Sequence, residues 1–175
     1  MNYINYYSSP FGKIILTSDG EYLTGLYFTS TKDEKKHQGE YQEKELEIFL
    51  ETKKWLDIYF QGEIPTFTPK YKLTLTPFRK QVTEIMNKIP YGELTTYNDI
   101  AKEIAKTKNI KKMSAQAVGG AVGANPICII IPCHRVIGQN NNLVGYGGGL
   151  KNKIALLQIE KHDITKFKVP KNAKM

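Results

Sequence analysis

Ile131-Pro132-Cys133-His134-Arg135-Val136 sets a cysteine beside a histidine, behind a proline, in a chain with only two cysteines and three histidines. A thiolate is a strong nucleophile, and a neighbouring imidazole is a common means of favouring it. Consecutive side chains in extended chain point to opposite faces, so the two groups need not touch. A water relay, or a turn at Pro132, would couple them. Imidazole acts best when a carboxylate holds its far nitrogen. Glu160 is the best-placed candidate: residues 150–161 read as a helix with Leu150, Ile154 and Leu157 on one stripe and Glu160 at its edge. As a bare dipeptide, a buried inert cysteine beside a surface histidine is the commoner outcome. The surroundings have to decide.

Other motifs carry less. Gly145-Tyr146-Gly147-Gly148-Gly149 precedes the last helix but lacks the Lys-Ser/Thr of a phosphate loop, so it reads as a flexible loop that lets a ligand approach backbone. No metal site is expected, because His37, His134 and His162 are scattered and no Cys-x-x-Cys occurs. Cys128 and Cys133 lie five residues apart; in extended chain that spans about 16 Å, beyond the roughly 7 Å a disulfide tolerates. Two free thiols fit a reducing compartment. With no apolar run near 20 residues and no secretory pattern at the start, a cytoplasmic protein that does not enter a membrane is expected.

Charge is unevenly placed. Residues 1–75 carry nine Lys and no Arg against eleven acidic residues, a balance of −2, whereas residues 76–175 balance at +10. The half that holds Cys133 therefore suits a polyanion, nucleic acid first; a solvated lysine-rich tail is the bland alternative.

These residues need a frame, and the pattern supplies an α+β one: a small N-terminal antiparallel sheet with a helix, then a mainly helical C-terminal domain containing a helix-turn-helix. Residues 3–7, 13–17 and 22–28 are rich in β-branched and aromatic residues and separated by turn residues, which predicts a three-stranded meander. Residues 29–40 read as a surface loop, 41–61 as a helix, and 64–75 as a connecting strand or linker. Thr76-Pro77 opens a second domain as N-cap and first helical position. Thr96 and Ser114 start two further helices, joined through a basic loop with four lysines at residues 106–112. Residues 127–131 read as a buried strand running into Pro132. The expected division is 1–75 for a supporting domain, 76–165 for the chemistry, and 166–175 for a basic tail.

Taken in order, Phe78-Arg79-Lys80-Gln81-Val82, Pro90-Tyr91-Gly92-Glu93, Thr96-Tyr97, Ala117-Val118-Gly119-Gly120-Ala121, residues 125–136 and Gly145-Tyr146-Gly147-Gly148-Gly149-Leu150 through Glu160 resemble the O6-alkylguanine-DNA alkyltransferases (methylated-DNA–protein-cysteine methyltransferases). The likeness covers about 85 residues of the C-terminal half; the N-terminal half resembles the family only in size and layout. The resemblance implies a suicide repair enzyme without cofactor, monomeric, acting on double-stranded DNA that contains O6-alkylguanine, or O4-alkylthymine. Cys133 would accept the alkyl group once and irreversibly. His134 would be the base through water, Glu160 its orienter, and Asn125 a hydrogen-bonding tie around the turn. Tyr97 would donate to the leaving base. Backbone near Cys133 and Val136 would read the exocyclic amine, with Tyr146, Gly147, Gly148 and Cys128 lining the pocket. Thr96, Ser114, Ala115, Gln116, Ala117 and Gly119 would face DNA.

Two positions depart from the pattern. Gln116 stands where most members carry an arginine that takes the place of the flipped base, and Cys128 where better-known relatives have a proline. Two other classes stay open on residues alone: a DNA-binding regulator with Cys133 as a redox or alkyl switch, and a cysteine hydrolase. Against them stand the absence of a dimerisation heptad and a basic half unsuited to small neutral substrates.

Overall fold

A computed structural model describes residues 1–36 and 39–170; His37 and the end of the basic tail with Lys171 and Lys174 lie outside the described residues. The chain divides into two compact units, one of Met1–Thr74 with Pro126–Ile130, the other of Leu75–Asn125 with Ile131–Met175.

In the first unit β1 (Asn2–Ser9), β2 (Gly12–Ser18) and β3 (Leu23–Phe28) form the expected antiparallel meander. Gly12, at φ +117°, closes the first hairpin. The register sets Tyr7, Ile14 and Phe28 side by side, and likewise Asn5, Leu16 and Leu26. Helix α1 (Glu47–Phe60) covers this face with Phe49, Leu56 and Tyr59 fully buried, and Tyr7 donates to Asp57 at 2.7 Å. The helix is shorter than the 41–61 expected. Tyr41–Glu43 is instead a strand, β4, parallel to β1, because its backbone finds partners along Asn2–Ile4. The segment expected as a plain surface loop contains a 3₁₀ turn, Lys32–Lys36, with Asp33 buried.

The segment 127–131 is not a strand. Leu26 donates to the Pro126 carbonyl at 3.0 Å and Cys128 to the Leu26 carbonyl at 2.9 Å, so only Ile127 pairs with β3. The chain then turns: Ile130 donates back to the Cys128 carbonyl at 2.8 Å, with Ile129 at φ +70°. That conformation is costly for a β-branched residue, on the order of 1–3 kcal/mol. The extended-chain premise behind the spacing of the two cysteines fails with it; both cysteines are nonetheless outside any disulfide, and both are buried.

The second unit contains α2 (Pro77–Met86), β5 (Thr95–Thr96), α3 (Tyr97–Thr107), α4 (Ala115–Gly123), β6 (Val136–Ile137) and α5 (Leu150–Ile159). Its first three helices have side-chain caps. Thr76 accepts from the Arg79 amide at 3.3 Å, Thr96 from Asp99 at 3.0 Å, and Ser114 from Ala117 at 3.2 Å. Their buried faces, led by Val82 and Met86, Ile100 and Ile104, and Val118 and Val122, pack together. Helices α3 and α4 are the expected helix-turn-helix pair. A two-residue parallel ladder joins Thr95 to Val136 and Thr96 to Ile137.

Thr76→Ala should cost about 1 kcal/mol, the usual worth of an N-cap. Urea unfolding is expected to show a lower midpoint with unchanged slope; an unchanged midpoint would remove the cap from the account of α2.

Candidate active site

The site grows out of one short turn. Cys133, His134 and Arg135 form a single 3₁₀ turn behind Pro132, whose own backbone (φ −82°, ψ 63°) is neither helical nor extended. In this turn successive residues are rotated by about 120°, so the alternation expected of a strand does not apply. The Asn125 side-chain amide donates to the Ile131 carbonyl at 3.0 Å, tying the end of α4 to the residue before Pro132. Cys133 is 5% exposed and His134 fully buried.

Glu160, the C-cap of α5, gathers the turn. Its Oε2 lies 2.5 Å from His134 Nε2. Arg135 donates from Nε to Oε1 at 2.7 Å and from Nη2 to Oε2 at 3.3 Å, and the Gly92 amide donates to Oε1 at 3.0 Å. Arg135 also donates from Nη1 to the Ile89 carbonyl at 2.7 Å and lies over the Tyr91 ring. Burial works against ionisation of Glu160, but the hydrogen bonds and charges of its partners outweigh it and hold the carboxyl well below the usual range. Burial lowers the His134 pKa despite Glu160, which leaves a neutral ring. The fixed cation at the carboxylate is thus Arg135. Nε2 is the nitrogen that meets the carboxylate.

Two further groups complete the chemistry. Burial pushes the Tyr97 hydroxyl up to about 12, with charge on Cys133 acting the same way, so it stays a donor at neutral pH. Lys153 is fully buried and donates to the Val136 carbonyl at 2.7 Å, with its ammonium 6.0 Å from the Tyr97 ring centre and 5.8 Å from that of Tyr146. Burial lowers it to about 8, while negative charge on Cys133 pushes it back up. Thiolate and ammonium therefore support each other. A nucleophile, a neutral base with an ionised orienter, a cation and a hydroxyl donor can together displace a leaving group from carbon and protonate it.

Tyr97 also lines a cavity of about 460 Å³, with Asn98, Gln116, Gly119, Gln139 and Gly145 among its other walls. Of the residues expected to contact DNA, Ala115, Gln116 and Gly119 line this cavity, Ala117 is exposed, and the Thr96 and Ser114 hydroxyls are engaged in capping. Lys106, Lys108, Lys111 and Lys112 are exposed. Val136 is buried, and its amide donates to the Cys133 carbonyl. Gly147 is half-buried, and the Gly148 carbonyl accepts from Asn152 at 2.7 Å. Cys128 belongs to the first unit, where its thiol donates to Asp33 at 3.3 Å. Among the described residues no His, Cys, Asp and Glu group is arranged to hold a metal ion, and no helix is long and apolar enough to cross a membrane.

Residues 77–162 match the family model for the 6-O-methylguanine DNA methyltransferase DNA binding domain, and residues 2–73 that for its ribonuclease-like domain. The chain belongs to the methylated-DNA–protein-cysteine methyltransferase family. It is 40% identical to the Haemophilus influenzae protein of that name, over 91% of this chain and 86% of that one. Against the Methanosarcina acetivorans protein of the same name it is 41% identical over 90% and 97%. The crystal structure of Mycobacterium tuberculosis OGT in complex with DNA is similar at 34% identity and a TM-score of 0.78, covering 94% of each chain.

Membership extends to the N-terminal half, where the sequence pattern offered only a likeness of layout. Two residues of the candidate site are not evident from the sequence pattern. Arg135 follows the Cys-His pair directly, and an arginine adjoining a candidate base is a ready partner for the same carboxylate. Lys153 interrupts the buried face of α5, three residues after Leu150 and four before Leu157. A lysine at a core position is itself a signal.

Removing the Glu160 charge should strand Arg135. Glu160→Gln is expected to cost about 3–5 kcal/mol at pH 7, as breaking a buried pair does. Because the folded carboxyl is held low, its contribution is complete above the ordinary value of about 4.3 and fades as pH falls through the lower folded value. Urea titrations should therefore show the gap between wild type and variant narrowing below about pH 4; a gap independent of pH would contradict the ionised state.

Proposed function

We propose that this chain reverses alkylation damage in DNA directly, with Cys133 taking the alkyl group from O6 of guanine, or from O4 of thymine, in one irreversible step. The supporting observation is the turn itself: a nearly buried thiol followed by a buried histidine whose Nε2 meets the Glu160 carboxyl, in a chain akin to a protein crystallised with DNA. The thiol proton passes through water to His134. The sulfur–carbon bond forms as the carbon–oxygen bond breaks, and the departing guanine regains its proton. Glu160 orients the ring, Asn125 holds the turn, Tyr97 donates to the leaving base, and Lys153 favours the thiolate.

The target atom is stacked inside a duplex, so the base must be flipped out at a cost of a few kcal/mol. The cavity beside Tyr97 would receive it. The Val136 carbonyl already accepts from Lys153, but a carbonyl has a second lone pair and can still accept from the exocyclic amine; Tyr146, Gly147 and Gly148 follow Gly145 of the cavity wall and would close on the base once it enters. The N-terminal end of α4, from Ser114 to Gly119, with Thr96, meets the minor groove. The four loop lysines meet phosphates, which provide affinity without sequence preference. The protein acts in the cytoplasm, as a monomer and without a cofactor.

Incubation with a duplex containing O6-methylguanine should add the mass of one methyl group to Cys133 and none to Cys133→Ser. No transfer under reducing conditions would refute the proposal. Glu160→Gln should lower the transfer rate more than DNA affinity; equal losses would contradict its orienting role. Lys153→Met is expected to slow transfer by about tenfold or more at unchanged DNA affinity, measured by quenched time courses; a wild-type rate would leave the ammonium a structural feature only.

A further inference from the structure

The wall of the cavity contributed by Gly138, Gln139, Val144 and Gly145 has little of its own to hold it. Within it the Gly138 amide donates to the Asn142 carbonyl at 2.8 Å and Asn142 to Gln139 at 3.2 Å, and Asn140 and Asn141 both take left-handed backbone. Its remaining backbone bonds go to one place. After Glu160 the chain reverses at Lys161, with φ +69°, and residues 163–168 run back along the loop as a strap. Leu143 donates to the Lys168 carbonyl at 2.8 Å, Lys168 to the Asn141 carbonyl at 2.9 Å, and the Asn141 side chain to the Lys166 carbonyl at 3.3 Å.

The strap is anchored at its far side. Ile164 and Phe167 pack on the buried cluster of Ile137, Leu143, Leu150 and Leu157, and the Phe167 ring meets His162 edge-on at 5.9 Å between centres. Asp163 caps the strap's own 3₁₀ turn by accepting from Thr165. Leu143 is thus held twice, by its side chain in the cluster and by its amide on the strap.

The geometry points to Phe167 as a positioning residue for alkyl transfer: it seats the strap that holds the cavity wall in place for the flipped base. Phe167 packs on the apolar cluster beneath the loop, so its effect falls on productive placement of the base and not on the reactivity of sulfur. The inference rests on the alkyl-transfer reading above.

The test uses the full chain as wild type, Phe167→Ala and Phe167→Leu, each with an O6-methylguanine duplex and, separately, with iodoacetamide as a small probe of Cys133. Phe167→Ala should lower the second-order transfer rate by about tenfold while iodoacetamide modification stays within about twofold of wild type. Phe167→Leu, which keeps an apolar anchor, should restore most of the loss. Hydrogen exchange at the Leu143 amide should quicken in Phe167→Ala, with that of Val118 in α4 unchanged. Transfer at the wild-type rate, or a parallel fall in iodoacetamide reactivity, would overturn the assignment. A wild-type chain that transfers nothing would refute the alkyl-transfer reading instead, and the strap would then stand or fall on exchange at Leu143.

Discussion

The Glu160 carboxylate is the point on which the second unit converges. It receives hydrogen bonds from the turn through His134 and Arg135, and from the loop after α2 through the Gly92 amide. It sits at the end of α5, so one anion fixes three pieces of chain that are remote in sequence. A buried anion of this kind is tolerable only when its lone pairs are matched by donors. Here two oxygens meet four donors. Burial holds the His134 pKa down and the charge of Arg135 acts the same way, so orientation and charge balance fall to different residues.

The approach to the turn is as constrained as the turn. In the first unit Ile129 takes left-handed backbone and the Ile130 amide bonds back to Cys128; in the second the Cys133 amide and the Asn125 side chain both donate to the Ile131 carbonyl. Left-handed isoleucine persists only where its surroundings over-determine it.

Much of this was legible in the residues. The meander followed from β-branched runs and turn residues, the helix starts from Thr76, Thr96 and Ser114, and the pairing of Glu160 with His134 from its place on the stripe of α5. What escaped has a physical cause in each case. The run at residues 127–131 carries the composition of a strand, and composition does not report that its backbone is spent on a single partner and then on turns. Tyr41–Glu43 is too short and polar to announce itself as a strand without β1 alongside. Lys153 was passed over because lysine reads as surface; only the tertiary structure shows its ammonium occupied by a carbonyl and two aromatic rings.

The parallel ladder of Thr95–Thr96 with Val136–Ile137 is only two residues long, yet it is the common datum for Tyr97, which follows one strand, and Cys133, which precedes the other. Chain length is therefore not equally negotiable along the unit. A residue inserted between Thr96 and Tyr97 would turn the start of α3 by about 100° and swing the hydroxyl away from the sulfur. The connection at residues 108–114 lies off that path and can lengthen or shorten while the distance between donor and nucleophile stays the same. Tolerance to insertion should thus be sharply divided within a few residues, generous where the chain meets solvent and absent where the two strands set the ruler.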